Sequence, residues 1–321
     1  FEKERIKSIC AVLPFFHIFS FCTNVVFTID KDILTIIPSI SQYGIKNLME
    51  LIYEYKCTAI PLVPTVLKKM LNEPISDLVK ISTLRYILAG GEPIDEASIK
   101  KLHDNLPDCV YASVYGMSEN ACISISRKND TVEQITKTVG KPLSCITIEI
   151  RDNATGKVLN VGEEGVIHFK SSVMTPCYYK FPIERQPFDD RGFLDTGDIG
   201  SIDHDGYLRI VGRVKDLIIR GGENISPGEI RDEIMKYSDI ALAEVVGVPN
   251  DTYGEEVDAA IVLKSGSTFN EDKLRTALLK KLSKYKVPEH FIVYDSLPKL
   301  TNGKVDKVKL KNDMKKRIYN I

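Results

Sequence analysis

No tryptophan occurs in the 321 residues, which by itself decides nothing. The missing motifs decide more. G-x-G-x-x-G, G-x-x-x-x-G-K-[ST], H-E-x-x-H and G-x-S-x-G are all absent. Dinucleotide oxidoreductases, P-loop enzymes, zincins and α/β-hydrolases therefore lose their main support. No C-x-x-C pair occurs among Cys10, Cys22, Cys57, Cys109, Cys122, Cys145 and Cys177. That odd, scattered set argues against a disulfide framework or a zinc ribbon and fits buried thiols in a reducing cytosol. From Asp216 onward there is no cysteine at all. His17, His103, His168, His204 and His290 show no metal-ligand spacing. Neither charge sign dominates: 43 Lys and Arg stand against 44 Asp and Glu, a net charge of −1. This excludes a nucleic-acid binder driven by bulk charge.

Long apolar runs are also scarce. The one at residues 9–29 follows Lys3, Arg5 and Lys7, but Pro14, His17 and Asn24 interrupt it. Such groups would be left unsatisfied in a bilayer. Glu2 and Glu4 dilute the basic flank, and no small-x-small cleavage site follows. Two short buried strands joined by a turn are expected there instead. The chain opens on Phe1 rather than Met, which admits a cut end.

What is present is an ordinary apolar fraction, 43% of 321 residues, enough for a sizeable core and better suited to two domains than one. Ile9–Leu13, Val25–Ile29 and Ile33–Ile37 read as strands. Ile45, Leu48, Met49, Ile52 and Tyr55 give residues 43–56 a helical period. Thr58–Val63, Leu84–Ala89 and Val110–Tyr115 are strand-like, with a helix from Pro93 to Leu106. This alternation implies a parallel sheet with right-handed crossovers. Ligands in such sheets sit outside the carboxyl ends of the strands, where Gly90-Gly91 and Tyr115-Gly116 fall. Residues 139–212 read as a small β unit without a helix, and the chain from Asp216 as α+β. There Ser226-Pro-Gly-Glu229 has capping-box spacing before a helix to about Tyr237. Asn270 is expected to cap a second helix bearing Leu274, Ala277, Leu278, Leu282 and Tyr285 and ended by Pro288. Asn302-Gly303 is a turn.

Four segments carry unusual chemistry. Tyr115-Gly-Met-Ser-Glu119 sets an aromatic, a glycine, a hydroxyl and a carboxylate past a buried strand. An aromatic face can stack on a base, glycine allows close backbone approach, and a carboxylate can hold Mg²⁺. An ordinary strand-end turn has the same composition. Asp195-Thr-Gly-Asp198 with Gly212-Arg213 could offer a carboxylate and a guanidinium to ribose or phosphate. Gly221–Glu229 is also complete as a glycine hairpin before a helix. Lys304 sits at the tip of the Asn302-Gly303 turn.

In their order, these segments resemble the ANL superfamily of adenylate-forming enzymes: acyl-CoA synthetases, peptide-synthetase adenylation domains and luciferases. Pro14-Phe-Phe-His17 is similar to the family's aromatic-His segment at the acyl pocket. Gly90-Gly91-Glu92 is similar to its adenine-side loop, and Tyr115–Glu119 to its YGxTE segment with Ser118 replacing Thr. Thr196-Gly-Asp198 and Gly212-Arg213 resemble its ribose contacts, Lys215 its hinge, Gly221–Pro227 its thiol-facing loop and Asn302-Gly-Lys304 its catalytic-lysine turn. The resemblance covers essentially the whole chain. It departs where a Gly is common at Ser20, and in Met174-Thr-Pro-Cys-Tyr178, where the family usually has Gly before Tyr. The Ser/Thr/Gly-rich phosphate loop would precede Phe1, so roughly the first third of a family member is expected to be missing.

The resemblance implies an α/β fold. Residues 1–214 would be the remainder of a large AMP-binding domain, with a parallel sheet in 1–138 and a barrel-like β unit in 139–214. Residues 215–321 would form a mobile α+β domain. It implies a cytoplasmic, AMP-forming acid:CoA ligase using ATP, Mg²⁺ and coenzyme A on a fatty or aryl acid, with no membrane span. In that reading Lys304, Ser118 and Glu119 are catalytic, and Glu119 holds the metal. Gly90, Gly91, Glu92, Tyr115, Gly116, Met117, Asp198 and Arg213 bind the nucleotide. Lys215 is the hinge, Gly221, Gly222 and Glu223 face the thiol, and Phe16 and His17 line the acyl pocket. The alternatives are a non-catalytic nucleotide- or acyl-binding remnant and an enzyme loading a carrier-protein thiol.

Overall fold

The computed structural model describes residues 6–39, 44–182, 186–300 and 305–319. The chain divides into two compact units, Phe1–Thr196 with Gly200–Ile210, and Gly197–Ile199 with Val211–Ile321.

The first unit is built on seven strands: β1 (Ser8–Cys10), β2 (Leu34–Ile36), β3 (Ala59–Leu62), β4 (Tyr86–Gly90), β5 (Val110–Met117), β6 (Asn120–Ile125) and β7 (Lys141–Pro142). Their order is β2-β1-β3-β4-β5-β6-β7. From β2 to β5 every pairing is parallel, whereas β6 and β7 run antiparallel. Parallel pairing needs crossovers, and helices Ile45–Glu54, Pro64–Leu71 and Glu96–Asn105 supply them. Their inner faces bury Met49, Ile52, Leu67, Met70, Ile99 and Leu102 in one core with Ile60, Leu62, Ile87 and Ala89 of β3 and β4. These strands are buried on both faces, which is why they read as unbroken apolar runs. A four-stranded sheet follows, made of β8 (Ile146–Arg151), β9 (Gly165–Ser171), β10 (Leu194–Ile202) and β11 (Leu208–Arg213), in the order β11-β10-β9-β8. As expected, no α-helix lies among the described residues of 139–212.

The expected strand Val25–Ile29 is helical. Helix Ile18–Phe21 continues through one π-helical turn, Cys22–Val26, into helix Phe27–Lys31. The cause is a polar ladder of period four that counting apolar residues overlooks. Buried Ser20 donates through Oγ to Leu13 O (2.8 Å), Asn24 Nδ2 donates to Ser20 Oγ (2.9 Å), and Thr28 Oγ1 donates to Asn24 O (2.9 Å). The Ser20 and Thr28 hydroxyls and the Asn24 amide N–H are paired along one helical face, so the segment buries without strand partners. The helix expected from Pro93 starts later, because Asp95 is the residue that caps it, accepting from Ser98 N at 2.8 Å. Helices Pro64–Leu71, Val132–Lys137 and Lys307–Tyr319 were not expected.

The second unit carries β12 (Ile218–Arg220), β13 (Glu223–Ile225), β14 (Ile240–Asn250), β15 (Gly254–Leu263) and β16 (His290–Val293). Their order is β13-β12-β15-β14, with β16 parallel to β15. Alternation along β15 serves two cores. Ala259 and Ile261 meet Ile230, Ile234, Leu274 and Leu278 of helices Pro227–Ile234 and Glu271–Leu279. Ala260 faces Leu310 and Met314 of Lys307–Tyr319 on the other side. Asn270 caps as expected, accepting from Lys273 N at 2.9 Å. Ser226 does not: its side chain makes no cap bond and donates instead to Val211 O at 2.7 Å. The would-be partner Glu229 is taken by Lys286 at 2.8 Å. Both helices end early, at Ile234 and Leu279, so Leu282 and Tyr285 lie beyond the second one. The Asn302-Gly303 turn and Lys304 lie outside the described residues.

Candidate functional site

In the first unit the sheet changes from parallel to antiparallel pairing across β5, which is parallel to β4 and antiparallel to β6. Paired Gly90 and Val114 bring the Gly90–Glu92 loop beside the Tyr115–Glu119 segment. A side chain at Gly90 would place Cβ 2.6 Å from Val114 O. Gly91 has φ +82°, a left-handed conformation open to glycine at little cost. Glu92 pins the loop to the first turn of helix Pro64–Leu71, accepting from Thr65 Oγ1 at 2.6 Å and from Thr65 N at 3.3 Å. The β5–β6 register shifts between Tyr115 and Met117, a bulge that re-aims this strand end. At Gly116 a Cβ would meet Ala121 O at 2.1 Å, so no other residue fits that backbone.

Ser118 and Glu119 form the two-residue link between β5 and β6, Ser118 exposed and Glu119 half-buried. Glu119 has a partner that sequence reading treated only as a departure from a motif: the Tyr178 hydroxyl donates to Glu119 Oε1. The backbone reinforces the tie, Thr175 N donating to Glu119 O at 2.8 Å. Burial, with help from the Glu119 carboxylate, pushes the Tyr178 hydroxyl up to about 12, so it stays a donor at neutral pH. No local signal could have found this contact, because the two residues are 59 positions apart.

His17 opens helix Ile18–Phe21, its Nδ1 accepting from Phe19 N at 3.3 Å, and that helix packs against β5 and β6. Phe16 is 92% exposed, and none of Phe15, Phe16, Phe19 and Phe21 is buried. They do not fill the core beneath the sheet.

In the second unit Asp198 is buried and accepts from Arg213 Nε at 2.6 Å. Lys215 lies in the 3₁₀ turn Val214–Asp216. Gly221 (φ +59°) and Gly222 (φ +89°) form the two-residue turn between β12 and β13, with exposed Glu223 opening β13. Two left-handed residues in a row are the mark of a type I′ hairpin turn, for which glycine pairs are suited. Gly221 N donates to Tyr253 O at 2.7 Å, and the Arg220 guanidinium stacks 4.9 Å from the Tyr253 ring, so the turn is held from below. Lys307 reaches Asp216 at 2.8 Å and Glu244 at 3.5 Å.

Among the described residues no group of three or more His, Cys, Asp or Glu side chains could hold a metal ion. Mg²⁺ needs no such cage, since it is bound through one or two carboxylates, waters and substrate phosphates. A lone half-buried carboxylate such as Glu119 fits an ion carried in on a nucleotide. No helix among the described residues is long and apolar enough to cross a membrane.

Two family models match. The AMP-binding enzyme model covers residues 2–179, and the AMP-binding enzyme C-terminal domain model covers residues 229–304. The chain is 30% identical over 288 residues to the medium-chain acyl-CoA ligase ACSF2, mitochondrial, of Mus musculus, covering 88% of this chain and 46% of that protein. It is 29% identical over 300 residues to 4-coumarate-CoA ligase 1 of Narcissus pseudonarcissus, covering 92% and 54%. Among solved structures, ATP-bound MatB from Rhodopseudomonas palustris matches with a TM-score of 0.86 and 28% identity, covering 97% of this chain and 61% of that one. The chain thus spans about half the length of the curated relatives it matches. With both models met in order, the first over more than half of the chain, the chain belongs to the AMP-binding enzyme family of adenylate-forming proteins.

Proposed function

We propose that the complete protein is an ATP-dependent carboxylic acid:CoA ligase acting through an acyl-adenylate. The observation that carries this is the Tyr115–Glu119 segment. It is a bulged strand end that carries a carboxylate, beside the Gly90-Gly91 loop, in a family whose relatives include acyl-CoA ligases. In the first half-reaction a carboxylate oxygen attacks the α-phosphorus of ATP, and pyrophosphate leaves. In the second, a thiol loses its proton and attacks the acyl carbon, and AMP leaves with the electrons of the broken acyl C–O bond. Two anions must meet in the first step, so charge must be neutralised there. Mg²⁺, when bound, would offset phosphate charge as a Lewis acid at Glu119.

The chain's own residues take these parts. Tyr115 stacks on the adenine, bordered by Gly90, Gly91 and Glu92, while Gly116 and Met117 shape the strand end. Ser118 donates to the α-phosphate. Asp198 accepts from the ribose hydroxyls, oriented by Arg213. Lys304 supplies the positive charge where carboxylate and α-phosphate meet. Lys215 is the pivot on which residues 215–321 reorient for the second step. The side-chain-free Gly221-Gly222 turn with Glu223 then gives the pantetheine arm room. Phe16 and His17 border the acid. The exposed phenylalanines around His17 favour a fatty or aryl acid, in keeping with the medium-chain acyl and 4-coumarate ligases among the relatives.

The test is pyrophosphate release dependent on ATP, Mg²⁺ and acid. Lys304→Ala should nearly abolish adenylation and leave thioester formation from supplied acyl-adenylate largely intact. Equal loss of both steps in a folded variant would refute the role of Lys304. A second reading is a non-catalytic nucleotide-binding protein. Tight AMP binding without pyrophosphate release would select it. Success with a phosphopantetheinylated carrier protein and failure with CoA would select a carrier-loading enzyme.

A further inference from the structure

Residues 174–182 are tied to the β5–β6 turn more firmly than a connecting segment requires. Thr175 N donates to Glu119 O at 2.8 Å, and the Tyr178 hydroxyl donates to Glu119 Oε1. The tyrosine is itself fixed. Its ring stands edge-on to Phe181 at 6.0 Å and tilted to Phe188 at 6.5 Å. Its backbone is clamped by Gln186, whose Oε1 accepts from Tyr178 N at 2.8 Å. Gln186 Nε2 in turn donates to Tyr178 O at 3.2 Å and to Phe181 O at 3.0 Å. Phe188 bridges to Leu194 of β10, and Phe188, Met174, Tyr115 and Met117 pack around the same buried cluster as Ile123 and Phe169. Ring and backbone of Tyr178 are thus braced on the first unit's framework, while its hydroxyl is spent on one carboxylate oxygen.

We infer that Tyr178 is a positioning residue for Glu119, holding its carboxylate in the rotamer that receives the nucleotide-borne cation. This rests on the reading of Glu119 given above. A carboxylate on a two-residue turn has free rotation about its own side-chain bonds. A rigid donor on one oxygen removes that freedom and leaves the other oxygen aimed. Partners of this kind, one bond removed from the ion, typically change metal affinity by about 10–100-fold.

The experiment compares Tyr178→Phe and Glu119→Gln with the unaltered full chain. The phenylalanine keeps the ring against Phe181 and Phe188, so an unchanged melting temperature is expected. Mn²⁺ uptake is read by electron paramagnetic resonance in the presence of a non-hydrolysable ATP analogue. Tyr178→Phe should weaken Mn²⁺ at least ~10-fold. It should leave binding of the analogue without metal unchanged. Where turnover is measured, half-saturating Mg²⁺ should rise while kcat at saturating Mg²⁺ stays. Unchanged Mn²⁺ affinity in Tyr178→Phe, with affinity lost in Glu119→Gln, would overturn the role of Tyr178 and leave that of Glu119. Unchanged affinity in both variants, or no uptake by the unaltered chain, would overturn both.

Discussion

Gly116 shows how a single position constrains this chain. Alanine there would need Ala121 O, 2.1 Å from the new Cβ, to retreat, and that oxygen belongs to the neighbouring strand of the same turn. Gly116→Ala should therefore lose more than about 2 kcal/mol in chemical denaturation, a strain effect at the upper end of ordinary substitutions. A second residue-scale prediction concerns Arg151. Its side chain is 9% exposed and its guanidinium lies 2.8 Å from Glu149 and 2.9 Å from Asp189. Arg151→Ala would leave Glu149 to Arg191, 3.0 Å away, and Asp189 to the backbone N–H groups of Arg191 and Phe193, so it should cost only about 1–2 kcal/mol, less at high salt. A third concerns pH. Burial, reinforced by Arg151, holds the His168 imidazole below its usual range, against the pull of Asp195, Asp189 and Glu149. The unfolded chain then binds more protons than the folded one near pH 6.5, so stability rises with pH through that region. It should be full above pH ~6.5, fall on acidification below that, and be flattened there by His168→Gln. At this scale the glycines and Glu119 were legible, because their chemistry is local to five residues. Tyr178 was not, because only the fold brings it to Glu119.

At the scale of elements, capping separates what spacing can show from what it cannot. Both Thr131-x-x-Gln134 and Ser226-x-x-Glu229 have capping-box spacing. Only the first is one: Gln134 N donates to Thr131 Oγ1 at 3.2 Å and Thr131 N to Gln134 Oε1 at 2.8 Å. Ser226 and Glu229 are diverted by Val211 and Lys286. Thr131→Ala should cost about 1 kcal/mol by denaturant midpoint. The parallel strands were legible because burial on both faces writes itself as apolar runs. The helix in 18–31 was not, because its signal is a polar period of Ser20, Asn24 and Thr28.

At the scale of the whole molecule the outstanding feature is a run of exposed apolar side chains between residues 26 and 37, which includes the edge strand of the first sheet. Val26 (49%) and Ile29 (77%) of the helical stretch, Leu34 (59%) of edge strand β2, and Ile37 (62%) are exposed. A strand edge flanked by such side chains invites pairing with other chains. Sedimentation of this chain should show association that grows with concentration, reduced by Ile29→Glu combined with Leu34→Lys. Monodisperse behaviour of the unaltered chain at all concentrations would contradict it.

The hairpin tip at Gly221 and Gly222 is, in effect, achiral, and its backbone has the handedness of mirror-image amino acids. D-alanine at residue 222 would suit φ +89°, whereas L-alanine there would be strained whatever the space around it. Semisynthesis can thus separate two properties that ordinary mutagenesis changes together. If the D-methyl variant folds as before yet slows thioester formation, what the acceptor requires at this tip is emptiness rather than a particular bend of the chain.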